Sequence, residues 1–467
     1  MNNEYKKLET NNIAHDIFKA YDIRGIVDKS LTVNMVYAIG QALGSEASRQ
    51  NQKTIAVARD GRLSGPKLLQ ALIDGILSTG IDVVNVGRVP TPVLYYATYH
   101  LNTGCGVMLT GSHNPPDYNG LKMVLNNTAL SGETIQDLKR RIINNDVISG
   151  SGNYSEIDVN DAYLNEIVGD VKVAKPLKIV IDCGNGVAGE LAPKLYKAMG
   201  CDVSEMYCEI DGNFPNHHPD PSQPETLVDL IAAVKEQKAD VGFAFDGDGD
   251  RLGVIAPDGE IIWADRQMIL YAQDVLSRNP GAEIIFDIKC SVNLAQAISN
   301  AGGSPLMWKT GHSFVKAKLK ESGAPLAGEM SGHIFFKERW YGFDDALYTG
   351  SRLLEILSKK EQHTGEVLTS LPDMVNTPEL RLNTAEGENF TLMQKLVDAA
   401  DFVNAKVTDI DGIRVDFDDA WGLVRASNTT PCLVIRFEGR TEQAMLEIQE
   451  KFRQLFHSVD DSLTLPF

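Results

Sequence analysis

Three times along this chain an apolar, β-branched run ending near an aspartate is followed by a helical stretch, a glycine-rich turn and a second strand-like run. The first unit reads TIAVARDGR, PKLLQALIDGIL, GIDVVNVG; the second KIVIDCGNG, GELAPKLYKAM, GCDVSEM; the third EIIFDIKCS, VNLAQAISN, GGSPLMW. Short apolar strands alternating with amphipathic helices bury their strands in sheets covered by helices, which predicts parallel pairing and three related α/β domains. From about Leu371 the pattern changes to the strand-like runs RLNT, KVTDIDGIRVDF, GLVRASNTT and PCLVIRFEG, followed by the helical TEQAMLEIQEKFRQLF, an α+β arrangement. A chain of 467 residues exceeds what one core sustains. Interruptions rich in Gly, Ser, Pro and Asn near Ser151 to Asn160, Pro257 to Ile261 and Ser370 to Pro372 divide it into expected domains 1–154, 155–258, 259–370 and 371–467.

Composition narrows the function classes. A formal net charge of −19 opposes nucleic acid and anionic lipid as partners, so an anionic ligand needs a local positive site. No apolar run reaches the ~20 residues of a membrane span, and MNNEYKKLETNN lacks a signal-peptide core, which reads as the solvated start of a cytoplasmic protein. Cys105, Cys183, Cys201, Cys208, Cys290 and Cys432 show no C-x-x-C spacing, arguing against a zinc site, a redox pair or a disulfide scaffold.

Four segments carry chemistry. Thr110-Gly111-Ser112-His113-Asn114-Pro115-Pro116 comes after the apolar CGVMLT; Gly111 lets the backbone turn and expose the Ser112 hydroxyl, while the two prolines stiffen the far side of the loop. Adjacent Ser and His rarely face one another, and Asn114 stands where a G-x-S-x-G elbow needs Gly, so a turn competes with a nucleophile here. Asp246-Gly-Asp248-Gly-Asp250-Arg251 comes after VGFAF and can converge three carboxylates on a hard cation. Counted from Asp246, a calcium loop would need Gly at Arg251 and Glu at Pro257, so magnesium fits better. Gly328-Glu329-Met330-Ser331-Gly332-His333 offers Glu329 to accept from sugar hydroxyls and His333 to move a proton, although a helix-capping turn reads equally well. Arg425-Ala-Ser427-Asn428-Thr429-Thr-Pro suits a phosphate, or is a plain polar hairpin loop.

In this order, the four segments resemble the four active-site loops of the α-D-phosphohexomutase superfamily, one per domain, and FKAYDIRG at 18–25 resembles its N-terminal signature. The resemblance runs from about Ile17 to the C-terminal region and implies three topologically similar α/β domains with mixed sheets plus a C-terminal α+β domain. It implies that Ser112 is a phosphoserine and that Asp246, Asp248 and Asp250 hold Mg2+ together with an oxygen of that phosphoserine. Lys122, Arg24 and Arg251 then stabilise charge, with Lys122 or His333 moving the proton. Glu329 and Ser331 read sugar hydroxyls, while Arg425, Ser427, Asn428 and Thr429 hold the non-reacting phosphate. Tyr21, Lys289, Gly311 and His312 match further ligand contacts. The implied reaction moves a phosphoryl group between C1 and C6 of mannose or glucose through a hexose 1,6-bisphosphate, with glucose 1,6-bisphosphate or mannose 1,6-bisphosphate as activator. GEMSGH resembles the bacterial phosphomannomutase/phosphoglucomutase branch; Gln at Met330 would resemble phosphoglucosamine mutases. The implied protein is a cytoplasmic monomer or weak homo-oligomer supplying nucleotide-sugar precursors, with a hinge near Ser370 to Pro372. Two alternatives differ in class: a phosphatase or mutase using Asp246 or Asp248 as nucleophile, and a sugar-phosphate sensor without catalysis.

Overall fold

The computed structural model describes Tyr5 and residues 13–385, 387–428 and 430–467. Each repeated unit forms the parallel pair its pattern predicts: Thr54–Arg59 with Asp82–Arg88, Lys178–Asp182 with Asp202–Met206, and Glu283–Asp287 with Ser304–Trp308. On the other side of the first strand of each pair lies a third parallel strand: Gly106–Leu109, Val241–Phe245 and Leu326–Gly328. The chain then reverses into an antiparallel neighbour, Tyr118–Leu125, Leu252–Ile255 or Ile334–Phe336. The sheets are therefore mixed, parallel at their helix-covered centres and antiparallel at one edge. Every residue of Gly106–Leu109, Val241–Phe245 and Leu326–Gly328 is buried, as central strands covered on both faces require.

Two sheets outrun the expected domain limits. Tyr154–Glu156 pairs with Asp82–Arg88 and carries the first sheet past residue 154; Ile261–Ile262 pairs with Leu252–Ile255 and carries the second past 258. The Pro257 to Ile261 interruption is a hairpin turn inside one sheet, not a linker. The C-terminal unit is an antiparallel sheet in the order Val375–Asn376, Cys432–Gly439, Ala420–Ala426, Ile413–Asp416, Lys406–Thr408, backed by helices Glu388–Ala399 and Glu442–Val459.

One continuous core runs through the first three units, from Ala56 to Leu371. Its centre is aromatic: the Trp340 ring stacks on Tyr348 at 4.5 Å and lies parallel to Tyr96 at 6.2 Å, and Tyr163 meets Tyr96 edge-on. The fourth unit has its own core around Phe437 and Phe452, and touches the third through Ile288, Trp421 and Leu423. Trp421 is flanked by Arg414 at 3.8 Å and Arg436 at 5.4 Å. The same guanidiniums donate to the carbonyls of Ile288 and Cys290 (Arg414) and of Lys289 (Arg436). Three units thus share one body, to which the fourth is docked by polar and aromatic contacts with the third.

Candidate active site

The topology places chemistry at one repeated position, the turn joining the third parallel strand to its antiparallel neighbour. Residues 110–117, 246–251 and 329–333 all occupy it. The fourth loop comes at the end of Ala420–Ala426, so Arg425 lies within the strand and Ser427 and Asn428 come directly after it, ahead of the next strand, Cys432–Gly439. The segment Glu329 to His333 is a strand-to-strand turn, which disposes of the helix-capping reading. Thr429 lies outside the described residues.

The first two loops meet at Ser112, whose Oγ donates to Asp246 Oδ2 at 2.9 Å and lies 3.1 Å from His113 Nδ1. The neighbours Ser112 and His113 do face one another, contrary to expectation, because Ser112 adopts φ of 48° and twists the turn. That left-handed step falls on Ser112 and not on Gly111. What Gly111 supplies is space, since a Cβ there would sit 2.3 Å from the Arg62 guanidinium. Gly247 acts likewise: a Cβ would fall 2.4 Å from the Ser112 carbonyl oxygen, so its absence lets the aspartate loop slide beneath the serine loop.

Asp60 and Arg62, which close the first repeated run TIAVARDGR and lie outside the four chemical segments, build the serine turn. Asp60 accepts from Thr110 Oγ1 at 2.8 Å, from Gly111 N at 3.1 Å and from Arg62 N at 2.9 Å. The Arg62 side chain, fully buried and paired with Asp60 at 3.3 Å, donates to the carbonyls of Ser112, Asn114, Pro115 and Tyr118. The ring of Phe214 covers the guanidinium at 5.2 Å.

Asp246, Asp248 and Asp250 are all fully buried, with an oxygen from each within 4.8 Å of the others. Burial, together with the like charges of Asp248 and Asp250, pushes the Asp246 carboxyl well above the ordinary range. Burial also acts to raise Asp248, but the Lys122 ammonium outweighs it and holds that carboxyl below its usual value. Lys122 Nζ donates to Asp248 at 2.7 Å and to Asp250; burial would lower its pKa, yet the surrounding aspartates hold it above the ordinary lysine value. Asp248 Oδ1 and Asp250 Oδ1 are buried without a hydrogen-bond partner. Three convergent carboxylates, two with such oxygens, fit a hard divalent cation with oxygen ligands.

From there the polar network continues into the third unit. Arg251 Nε donates to His333 Nε2 at 2.9 Å, and its guanidinium approaches Asp246 at 4.0 Å. His333 Nδ1 lies 3.0 Å from Asp344, a buried carboxylate outside every sequence motif, which also accepts from Lys316 Nζ at 2.8 Å. Burial first, then the Lys316 charge, drives the His312 imidazole well below its ordinary pKa. Arg24 pairs with Asp22 at 2.6 Å and donates to Asn114 Oδ1, which holds it over the serine turn. Tyr21 packs edge-on against His312 at 5.2 Å and lies against Gly311.

The Glu329 to His333 loop is linked to the fourth unit. Glu329 accepts from Gly311 N and lies 3.5 Å from Ser331 Oγ; burial raises its carboxyl. Asp411 bridges units three and four, accepting from Thr310 N at 3.0 Å and from Arg425 Nε at 2.9 Å. Lys289 pairs with Glu379 of the fourth unit at 2.6 Å. Ser427 Oγ lies 2.9 Å from Thr430 Oγ1, and the buried Asn389 donates to the Ser427 carbonyl. A continuous chain of contacts therefore joins Ser112, the aspartates, Arg251, His333, Glu329, Gly311, Thr310, Asp411 and Arg425, with Asn428 in the same turn as Ser427.

Four domain models of the phosphoglucomutase/phosphomannomutase family match in succession: alpha/beta/alpha domains I (15–148), II (161–259) and III (263–375), and the C-terminal domain (379–455). The phosphomannomutase/phosphoglucomutase of Pseudomonas aeruginosa PAO1 is 54% identical over 451 residues, 97% of either chain. The phosphoglucomutase of Neisseria gonorrhoeae is 53% identical over 450 residues, 96% of this chain and 98% of that one. A solved phosphoglucomutase/phosphomannomutase family protein from Burkholderia thailandensis superposes with a TM-score of 0.93 at 54% identity, covering 97% of this chain and all of that one. The chain belongs to the phosphoglucomutase/phosphomannomutase family, in the bacterial branch of the α-D-phosphohexomutase superfamily. It is an enzyme of the isomerase class, a phosphohexomutase acting by phosphoryl transfer. No described helix is long and apolar enough to cross a membrane.

Proposed function

We propose that the enzyme interconverts the 1- and 6-phosphates of mannose and of glucose, with Ser112 carrying the phosphoryl group between turnovers. The observation that supports this most directly is the seat of Ser112 Oγ, 2.9 Å from Asp246 and beside the buried aspartate cluster. Magnesium held by Asp246, Asp248 and Asp250 would neutralise oxygens of the transferring phosphoryl group when bound.

The side chains supply the rest. Lys122, Arg24 and Arg251 ring the Ser112 turn with positive charge that is fixed before substrate arrives, so little reorganisation is needed as charge moves during transfer. The sugar hydroxyl attacks phosphorus, the bond to Ser112 Oγ breaks, and that oxygen regains a proton; His113 Nδ1, 3.1 Å away, is placed to exchange it. In the return step Ser112 Oγ attacks the other phosphate of the bound 1,6-bisphosphate, which regenerates the phosphoserine and releases the isomer. Glu329 and Ser331 accept and donate to sugar hydroxyls, and His333 moves the proton of the attacking hydroxyl. Arg425, Ser427, Asn428 and Thr429 grip the phosphate that is not transferred, in either orientation. Tyr21, Lys289, Gly311 and His312 complete the walls of the site. Glucose 1,6-bisphosphate or mannose 1,6-bisphosphate serves as activator by rephosphorylating Ser112.

The separate core of the fourth unit supports an opening that lets the bisphosphate reverse, with residues 370–372 as hinge. Scattering at saturating hexose phosphate should show compaction; an unchanged profile removes this element. The reaction itself is tested by a coupled assay with mannose 1-phosphate, glucose 1-phosphate and glucosamine 1-phosphate, run with magnesium and a trace of glucose 1,6-bisphosphate on wild type and Ser112→Ala. Turnover of the first two, collapsing in the variant, is expected. Preference for glucosamine phosphate would overturn the sugar assignment, and full turnover by Ser112→Ala would overturn the serine and favour an aspartyl nucleophile.

A further inference from the structure

The spacing of the cysteines speaks against a redox pair, yet folding brings two of them together in the second unit. Cys183 comes directly after strand Lys178–Asp182 and Cys208 lies just beyond its parallel neighbour Asp202–Met206. Their sulfurs are 3.5 Å apart, with the Cys208 thiol donating to Cys183. The other cysteines have no such neighbour: Cys105 meets Gln52 Oε1, Cys290 meets Asp287, and Cys432 meets Thr430, while Cys201 is buried elsewhere. Cys183 is fully buried and Cys208 is partly exposed. Two backbone bonds already hold the segments in register, Cys183 N to Met206 O at 3.1 Å and Asn185 N to Tyr207 O at 2.8 Å. Closing the gap to a covalent S–S bond of ~2.05 Å draws the two sulfurs together by about 1.5 Å.

We propose that Cys183 and Cys208 are a redox-sensitive thiol pair that closes to a reversible disulfide on exposure to a peroxide, and that this closure is felt at the aspartate loop. The partly exposed Cys208 thiol gives up its proton and the thiolate attacks one oxygen of hydrogen peroxide; the O–O bond breaks, the departing hydroxide takes up that proton and leaves as water, and Cys208 becomes a sulfenic acid. Cys183, having given up its proton, attacks that sulfur; the S–S bond forms, the S–O bond breaks, and hydroxide leaves and takes up the proton as a second water. Two thiols are oxidised and one peroxide is reduced. A dithiol reductant reverses the bond by exchange.

The path to the site is short. Gly186 N donates to Cys183 O at 2.7 Å, and Val187 N donates to Gly247 O at 3.1 Å, inside the loop that carries the three aspartates. The turn behind Cys183 also sits hard against Cys208, since a Cβ on Gly189 would fall 2.1 Å from the Cys208 carbonyl oxygen. Drawing the two sulfurs together displaces the support on which Gly247 rests.

The test uses the full-length protein exposed to hydrogen peroxide, denatured, alkylated and digested for mass spectrometry, with mutase turnover measured in parallel. The expected result is loss of two alkylatable thiols out of six, a linked peptide joining Cys183 and Cys208, and a several-fold fall in turnover with the same time course, all reversed by dithiothreitol. Cys208→Ser and Cys208→Ala should start with wild-type turnover and resist the loss. Six free thiols after treatment, or a sulfinic Cys208 beside a free Cys183, would overturn the pair. A linked peptide with unchanged turnover would overturn the coupling to the aspartate loop. The linkage is read without any activity assay, so its failure is separable from failure of the proposed reaction.

Discussion

Arg62 is the side chain on which the shape of the serine turn most depends, and its removal has a calculable consequence. In Arg62→Met the Asp60 carboxylate keeps its bonds to Thr110, Gly111 and the backbone of residue 62, but loses its buried counter-charge 3.3 Å away. Removing one partner of a buried pair costs about 3–5 kcal/mol. Against a domain stability of roughly 5–15 kcal/mol this leaves the protein folded at 25 °C over all but the lowest part of that range. At ~2–4 °C per kcal/mol, the first unfolding transition should fall by roughly 6–20 °C. The same change releases four carbonyls of the turn, those of Ser112, Asn114, Pro115 and Tyr118, and so frees Ser112 Oγ to drift from the aspartates. A displacement of ~1 Å of a reacting atom costs on the order of 100-fold in rate. Arg62→Lys separates the two effects. An ammonium restores most of the charge pairing and hence most of the thermal loss, but a point donor cannot span four carbonyls as a planar guanidinium does, so kcat should stay about 100-fold down. Calorimetry with steady-state kinetics on both variants decides the matter: a folded Arg62→Met with kcat within about threefold of wild type would refute the positioning role, and full rescue of kcat by lysine would show that charge alone is enough.

The same geometry sets three further outcomes. Asp248→Asn should abolish turnover and weaken magnesium binding by calorimetry, and in wild type the apparent cation affinity should fall as pH drops, because the raised Asp246 carboxyl retains a proton the cation must displace; pH-independent affinity would contradict this. Asp411→Ala, which releases Arg425 Nε from its 2.9 Å bond, should raise KM roughly 10- to 100-fold with a smaller effect on kcat, the signature of lost phosphate grip; an unchanged KM would count against the bridge. His217 is drawn down by burial, but its hydrogen bond to Asp182 at 3.0 Å and the Asp182 charge outweigh this and raise its pKa. Its stabilising contribution is then present in full below about pH 6.5 and lost as pH rises through the higher folded value. The melting-temperature gap between wild type and His217→Gln should shrink over that rise, and a constant gap would refute the pairing.

The fold was legible in the sequence where local pattern decides it. Each strand-helix-strand unit closed as a parallel pair, because apolar strands such as Ile179–Ile181 have no solvent face to offer. Tyr154–Glu156 was not legible: all three residues are exposed, and the strand exists only because Asp82–Arg88 presents an edge to pair with. The site loops stood out through dense runs of Asp, Gly, Ser and His. Their supporting side chains did not, because Arg62, Asp344 and Asp411 act over distances that only folding creates: Arg62 is 50 residues from Ser112 and Asp411 is 101 from Thr310.

One signal nonetheless occurs three times in the chain. Each repeated unit ends its first strand beside an aspartate, Asp60, Asp182 or Asp287, and all three are buried. In the first unit this residue bonds the start of the serine turn; in the third, Asp287 accepts from Met330 N at 3.2 Å and from Thr310 Oγ1 at 2.9 Å, so it braces both the Glu329 to His333 loop and the segment that meets Asp411. In the second, Asp182 accepts from Gly184 N and pairs with His217, bracing the turn that Val187 hangs from the aspartate loop. A carboxylate at the end of the strand next to a functional turn offers that turn a fixed acceptor where its own backbone N–H groups have no strand partner. The repeat therefore carries more than a fold. It carries a common way of holding a loop still, used three times, and the chemistry differs between units because the residues set on those braced loops differ.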